Sequence, residues 1–322
     1  MSVHNVPTGQ LRLISRVAGL YYREMMSQRA IARRLSLSQA SVSRLLKQSE
    51  DLGIVRISVN EPEGIFSGLE RSVEEKFGVR EVVVTDSGSG DQTSLFRALG
   101  DAGASWLENN VGEHEIVGVS SWSETLYAVV KAMRGSNTGW KTSMIVQLLG
   151  GVGISAPVSF ATMLTESMAR ATGARSVFLM VPGVCDSEAS RNILIEDVMC
   201  RSVFEIYEKT TMLVVGIGAL STSYLLRELR SDKDSQDEEE LRSLGAVGDF
   251  CFRYFDANGR LVDSNFDKRV IGISPELMRE IGNTVVVGGG LNKLEAIRAA
   301  LRGGWINTLI TDLAVASELM RE

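Results

Sequence analysis

SQRAIARRLSLSQASVSRLLK, residues Ser27 to Lys47, is the stretch from which the rest of the chain is read. It describes two short helices around a tight turn. Ser27 is placed to cap the first, its hydroxyl accepting from a backbone N–H that has no partner within the helix. Ala30, Ile31 and Leu35 follow at helical spacing and form an apolar stripe. Ser36-Leu37-Ser38 is the break, and Ser38 is placed to cap the second helix. Val42, Leu45 and Leu46 then face back onto the first helix, which leaves Gln39, Ala40, Ser41, Ser43, Arg44 and Lys47 outward. A face of short side chains lets a helix axis approach a DNA major groove. Gln bonds adenine edges, and Arg bonds guanine or phosphate. Arg29, Arg33, Arg34 and Lys47 are the residues expected along the phosphate backbone. The competing reading is a solvated helical hairpin with ordinary surface charges.

The flanks favour the first reading. Leu13, Val17 and Tyr21 recur every fourth residue, which predicts a third helix over Leu11–Met25. Gly53 suits a left-handed helix end, and Ile54 to Val59 alternate as a strand does. Three helices and a strand make a winged helix-turn-helix. The turn carries Ser36 where many such turns have glycine, so it must accept a residue with a Cβ.

Charge divides the chain at the same place. Residues 1–60 hold nine Lys or Arg against three Asp or Glu, whereas the remainder holds 25 against 37. A basic head on an acidic body indicates a polyanion bound at one end only. Cys185, Cys200 and Cys251 form no Cys-x-x-Cys pair and read as reduced, buried thiols of a cytosolic protein. Only His4 and His114 are available as histidines, which argues against a zinc site or a His-based triad. No signal-peptide pattern opens the chain, and no apolar run approaches the roughly 20 residues that span a bilayer.

Asn60 to Gly64 reads as the linker. Leu69 to Phe77 reads as a helix. Beyond it β-branched runs recur at 82–84, 116–119, 145–148, 177–180, 213–215, 250–252, 285–287 and 308–310. Helical patterns such as Leu95–Trp106 and Leu294–Leu301 alternate with them, which predicts a mostly parallel, doubly wound sheet. Ser231–Glu240 reads as an exposed loop running into a helix start.

Ligands of such sheets lie at the carboxyl ends of the strands. There Gly118–Leu126 offers Ser120, Ser121, Ser123 and Thr125 at a helix start, either as an anion site or as simple caps. Gly150, Gly151 and Gly216 lie in strand-end glycine turns without a full nucleotide fingerprint. Lys293 follows Gly288-Gly289-Gly290 at the first turn of a helix, as a ligand contact or a surface lysine. Asp249, at the start of an expected strand Phe250–Phe255, could accept from sugar hydroxyls or cap a loop. Asp256–Gly259 then folds that strand back toward Leu261-Val262.

Taken with the head, the blocks Gly118–Leu126, Leu148–Gly153, Val215–Ala219, Gly245–Gly259, Gly288–Ala296 and Gly303–Asp312 resemble the SorC family of sugar-binding transcriptional regulators. The resemblance covers residues 11–320. It implies a winged helix-turn-helix domain over 1–60, a linker over 61–68, and over 69–322 a Rossmann-like α/β effector and oligomerisation domain. That domain is similar to the ribose-phosphate isomerase and CoA-transferase group. The resemblance implies operator DNA as one partner, a phosphorylated sugar as the other, a homotetramer, no cofactor and no turnover. It implies that Ser121, Trp122, Ser123 and Thr125 bind phosphate, that Lys293 contacts it, that Asp249 holds sugar hydroxyls, and that Gly150, Gly151 and Gly216 form backbone walls. Glu124 and Ala219 depart from the pattern, which turns the expectation from doubly phosphorylated ligands to a monophosphate or an uncharged polyol. The alternative is an isomerase or Schiff-base aldolase with Lys293 as amine and Asp249 or Glu124 as acid–base.

Overall fold

The computed structural model describes residues 6–56, 62, 64–88, 90–120, 122–133, 142–151, 159–220 and 232–321. It divides into two compact units, Met1–Glu61 and Pro62–Glu322.

The first unit holds α1 (Thr8–Ala18), α2 (Gln28–Leu35) and α3 (Gln39–Asp51). Helix α1 does not run unchanged to Met25; it widens into a π turn over Gly19–Arg23, and Met25 turns left-handed at φ 51°. Val17, Leu20, Ile31, Ala32, Val42 and Leu46 close a small core, with Leu13, Tyr21, Leu35 and Leu45 packed on it. The Ser27 hydroxyl accepts from the Ala30 N–H at 3.3 Å, and the Ser38 hydroxyl from the Ser41 N–H at 3.1 Å. Each such cap stabilises its helix by about 1 kcal/mol. Ser36 does take the left-handed conformation, at φ 56°. Gly53 follows α3 at φ 68°. The expected strand Ile54–Val59 is not present in its described part: Ile54 and Val55 bend, and the Val55 N–H returns to the Ser49 carbonyl at 3.0 Å. Residues 57–59 lie outside the described residues.

The second unit begins with α4 (Ser67–Phe77), β1 (Glu81–Thr85), α5 (Gln92–Asn110), β2 (Ile116–Val119) and α6 (Glu124–Met133). It continues with β3 (Met144–Gln147), α7 (Ser159–Thr172), β4 (Arg175–Val177), α8 (Glu188–Ile195), α9 (Val198–Tyr207), β5 (Met212–Val215) and β6 (Gly218–Ala219). Then come α10 (Asp232–Ser243), β7 (Ala246–Phe250), β8 (Arg253–Asp256), α11 (Pro275–Ile281), β9 (Thr284–Val287), α12 (Leu294–Arg302), β10 (Thr308–Asp312) and α13 (Leu313–Met320). Seven strands form one parallel sheet in the order β1-β10-β9-β5-β2-β3-β4, and β6-β7-β8 form a small antiparallel sheet.

Both faces of the large sheet are covered, so its central strands are apolar without alternation. Val285 and Val287 pack with α5, α6 and α7, whereas Val286 packs with α9, α12 and α13 on the other side. Gly103 lies under Val129, where a Cβ would fall 2.7 Å from its methyl, which lets α5 and α6 approach closely.

Three sequence expectations change here. The strand at 177–180 begins earlier, at Arg175, and Phe178–Met180 leave the sheet. Ser231–Glu240 is largely helical, within α10, where the buried Asp237 pairs with Arg269 at 2.5 Å. The run Phe250–Phe255 is a hairpin: Cys251 and Phe252 form its tip at φ 50° and 64°. Such tips normally carry Asn or Gly, and an aromatic run hides one.

Candidate functional site

In the head, Gln39, Ala40, Ser43, Arg44 and Lys47 are exposed on α3, as are Arg29 and Arg33 on α2. Two polar side chains of the expected face are otherwise occupied, since the hydroxyls of Ser38 and Ser41 lie 2.8 Å apart and Ser38 also caps the helix. Arg34 is engaged too: its guanidinium donates to Glu24 at 3.2 Å and to the Met26 sulfur at 3.3 Å. A half-neutralised arginine has less to offer a phosphate than Arg29, Arg33, Arg44 or Lys47.

In the second unit four loops leave β9, β5, β2 and β3, which are consecutive neighbours in the sheet. They therefore gather at one end of its centre. After β2, the Ser120 hydroxyl accepts from the Gly216 N–H at 3.0 Å, fastening that loop to the one after β5. Ser123 caps α6, accepting from the Leu126 N–H at 3.2 Å. A Cβ on Gly216 would overlap the Ser123 side chain, so glycine is required there by the neighbouring loop. Trp122 is half-buried and Thr125 is buried; Ser121 lies outside the described residues. Gly150 and Gly151 sit one strand further out, after β3. Gly150 is pressed against Val181–Gly183, where a Cβ would fall 2.5 Å from the Val181 carbonyl. Residues 152–153 of that expected block lie outside the described residues.

Asp249 stands near the end of β7, not at a strand start, and pairs in register with Gly218 of β6. Its carboxylate lies so close over Gly218 that any Cβ there would collide with Oδ1. Oδ2 accepts from the Phe252 N–H at 3.0 Å, which holds the hairpin tip. Burial pushes the Asp249 carboxyl up from its usual 3.8 to about 6, against the lowering pull of the Phe252 N–H and of Lys293. Burial also draws the Lys293 amine down, while Asp249 and then Glu124 draw it back up. One half-buried cation thus feels the charge of two carboxylates, the half-buried Asp249 and Glu124, exposed at the first residue of α6.

The raised Asp249 carboxyl has a consequence for stability. The folded chain holds that proton more tightly than the unfolded chain, so stability falls as pH rises from 3.8 toward about 6, and the cost is complete above it. A shift of about two units corresponds to roughly 3 kcal/mol. Asp249→Asn is therefore expected to raise the thermal unfolding midpoint at pH 7.5, with the gain shrinking to nothing near pH 4. Parallel melts of the two proteins across that range measure it; equal midpoints at pH 7.5 would refute it.

Two contributors were not singled out in the sequence. Asp312 ends β10, and its Oδ2 accepts from the Gly290 N–H at 2.7 Å while Oδ1 caps α13 through Ala314 and Val315. It thereby sets the turn that carries Lys293, with Gly290 at φ 90°. An Asp between a strand run and a helix run is a cap pattern that could have flagged it. Gly218, the floor beneath Asp249, is legible only as part of the strand-end glycine turn Val215–Gly218, not as a partner of Asp249. Among the described residues no cluster of His, Cys, Asp or Glu is placed to hold a metal, and no helix is long and apolar enough to cross a membrane.

An α/β domain whose loops gather at the strand ends of a parallel sheet, in one chain with a basic helical head, is the class this architecture defines. The family described as "Putative sugar-binding domain" matches residues 64–321. The chain is 30% identical over 305 residues to the deoxyribonucleoside regulator of Bacillus subtilis, covering 95% of this chain and 96% of that one. It is 27% identical to the sorbitol operon regulator of Klebsiella pneumoniae, over 97% and 98% of the two chains. The crystal structure of the full-length sorbitol operon regulator SorC from Klebsiella pneumoniae superposes with a TM-score of 0.73 at 26% identity, covering 98% of this chain and all of that one. The chain belongs to the SorC family of sugar-binding transcriptional regulators.

Proposed function

We propose that this regulator binds operator DNA through α3 and releases or engages it in response to a small phosphorylated sugar held at the ends of β9, β5 and β2. Residues 1–60 serve as the winged DNA-binding domain, 61–68 as linker, and 69–322 as the effector and oligomerisation domain of a cytoplasmic homotetramer. The observation that carries the reading is the exposed face of α3, where Gln39, Ala40, Ser43, Arg44 and Lys47 share one side of a capped helix. Ser123, Thr125, Gly216, Asp249 and Lys293 supply the effector contacts, with Ser121, Trp122, Gly150 and Gly151 around them. The sugar acts by its unequal affinity for two states of the protein.

Gel retardation on the chain's own upstream promoter at modest salt tests this. A shifted band that a sugar phosphate alters is the expected result; absence of any shift would overturn the reading. The lowered Lys293 amine favours one competing reading, a Schiff-base enzyme. Borohydride trapping with pentose and hexose phosphates decides between them, and no covalent adduct is expected.

A further inference from the structure

Asp312 is shared between two parts of the second unit. Its Oδ2 accepts from the Gly290 N–H at 2.7 Å, and the turn lies so close that a Cβ on Gly289 would overlap that oxygen. The Lys293 N–H in turn donates to the Gly290 carbonyl at 2.9 Å, so the amine assigned to the effector stands one tight turn from the carboxylate. Oδ1 serves a different element. It accepts from the Ala314 N–H at 3.0 Å and the Val315 N–H at 3.2 Å, and so caps α13.

Helix α13 carries the connection onward. It packs on α4, and near its far end the Leu319 carbonyl accepts from the Lys76 amine of α4 at 2.7 Å. Helix α4 is itself tied to β1, where the outward N–H groups of Val82 and Val84 donate to Glu74 and Glu70 at 2.8 and 2.9 Å. Strand β1 pairs with β10 as far as Thr85, which lies in register with Asp312. Helix α4 is also the first helix the chain enters after Met1–Glu61. From Lys293 to α4, every step is thus a hydrogen bond or a turn of helix.

We infer that Asp312 is the positioning residue that couples the effector site to the DNA-binding head. A sugar phosphate that draws on Lys293 shifts the Gly290 turn, and Asp312 passes the shift through α13 to α4. Helix capping accounts for Oδ1 alone; the bond from Oδ2 to the effector turn is what makes the residue a bridge. A carboxylate can span the two because it offers two acceptor oxygens, and the N-terminus of α13 favours its charge. An amide of the same size has one acceptor oxygen, so it can hold the Gly290 turn or cap the helix but not both. Coupling between sites requires an element that both of them bias. Helix α13, held by Asp312 at one end and by Lys76 near the other, is that element. The inference rests on the proposed function and deepens it, by naming how the sugar is felt at α4.

Asp312→Asn in the full-length protein tests it. Fluorescence anisotropy reads affinity for the chain's own upstream promoter, with and without saturating ribose 5-phosphate, glucose 6-phosphate or sorbitol 6-phosphate. Calorimetry reads sugar affinity separately. The wild type is expected to change its operator affinity by roughly 5- to 150-fold with the sugar phosphate that acts on it. The variant is expected to keep sugar affinity and sugar-free operator affinity within about threefold, while the change between the two conditions falls below about twofold. A merely structural cap would lower the unfolding midpoint and leave that change as it was, which would overturn the inference and leave the proposed function standing. Loss of sugar affinity itself would make Asp312 part of the pocket and likewise overturn it. A wild type that ignores all three sugar phosphates would end the proposed function, and the inference with it. Should Asp312→Asn misfold, Lys76→Met breaks the far end of the same bridge away from the effector turn. The same loss of response is expected of it, and a wild-type response would overturn the inference.

Discussion

Arg44→Ala is expected to weaken specific operator binding by roughly 5- to 150-fold, the equivalent of about 1–3 kcal/mol for a lost bidentate base contact. Arg44 is exposed on α3, one residue beyond Ser43 and one turn after Ala40, and no described side chain occupies its guanidinium. It is therefore presented to a partner without first breaking an internal bond. Arg34→Ala supplies the contrast. That guanidinium already donates to Glu24, so its loss should lower affinity less, and by the same factor on any sequence. Fluorescence anisotropy against operator and scrambled duplexes, each at two salt concentrations, separates the two behaviours. If Arg44→Ala weakened both duplexes equally, Arg44 would be a phosphate contact and the groove-facing assignment would be lost.

Lys293→Ala is expected to leave operator affinity within about twofold of wild type and to lower affinity for a sugar phosphate by more than about tenfold. A hydrogen bond from this cation to a ligand phosphate contributes about 1.5–3 kcal/mol, which its loss removes. Removing Lys293 also removes a pull that lowers Asp249, so that carboxyl should rise further and the residual binding should become more sensitive to pH. Titration calorimetry of both proteins with a panel of pentose and hexose phosphates measures the loss. Equal affinity for every ligand would dismiss the site.

Much of this was readable from the chain because local chemistry and global fold agree. Ser27 and Ser38 announce their helices, and the valine run before Gly288-Gly289-Gly290 announces a strand buried on both faces. Ser36 was legible as an oddity and proved to be the left-handed turn residue. What escaped depends on partners distant in sequence. Cys251 and Phe252 adopt a glycine-like turn because Asp249 accepts from the Phe252 N–H, a bond that no residue pattern encodes. The acidic run before Glu240 is helical although it lacks an apolar stripe; Arg269, 32 residues after Asp237, supplies the pairing. Gly218 matters because of what lies above it. Arg34 looked like its neighbours until Glu24 was placed beside it.

The glutamates of α4 that close off β1 bear on how large an assembly this sheet can build. A ribbon of strands with one live end terminates at two chains, whereas a ribbon with two live ends polymerises without limit. Glu70 and Glu74, by accepting from the Val82 and Val84 N–H groups, close β1 to strand addition by another chain.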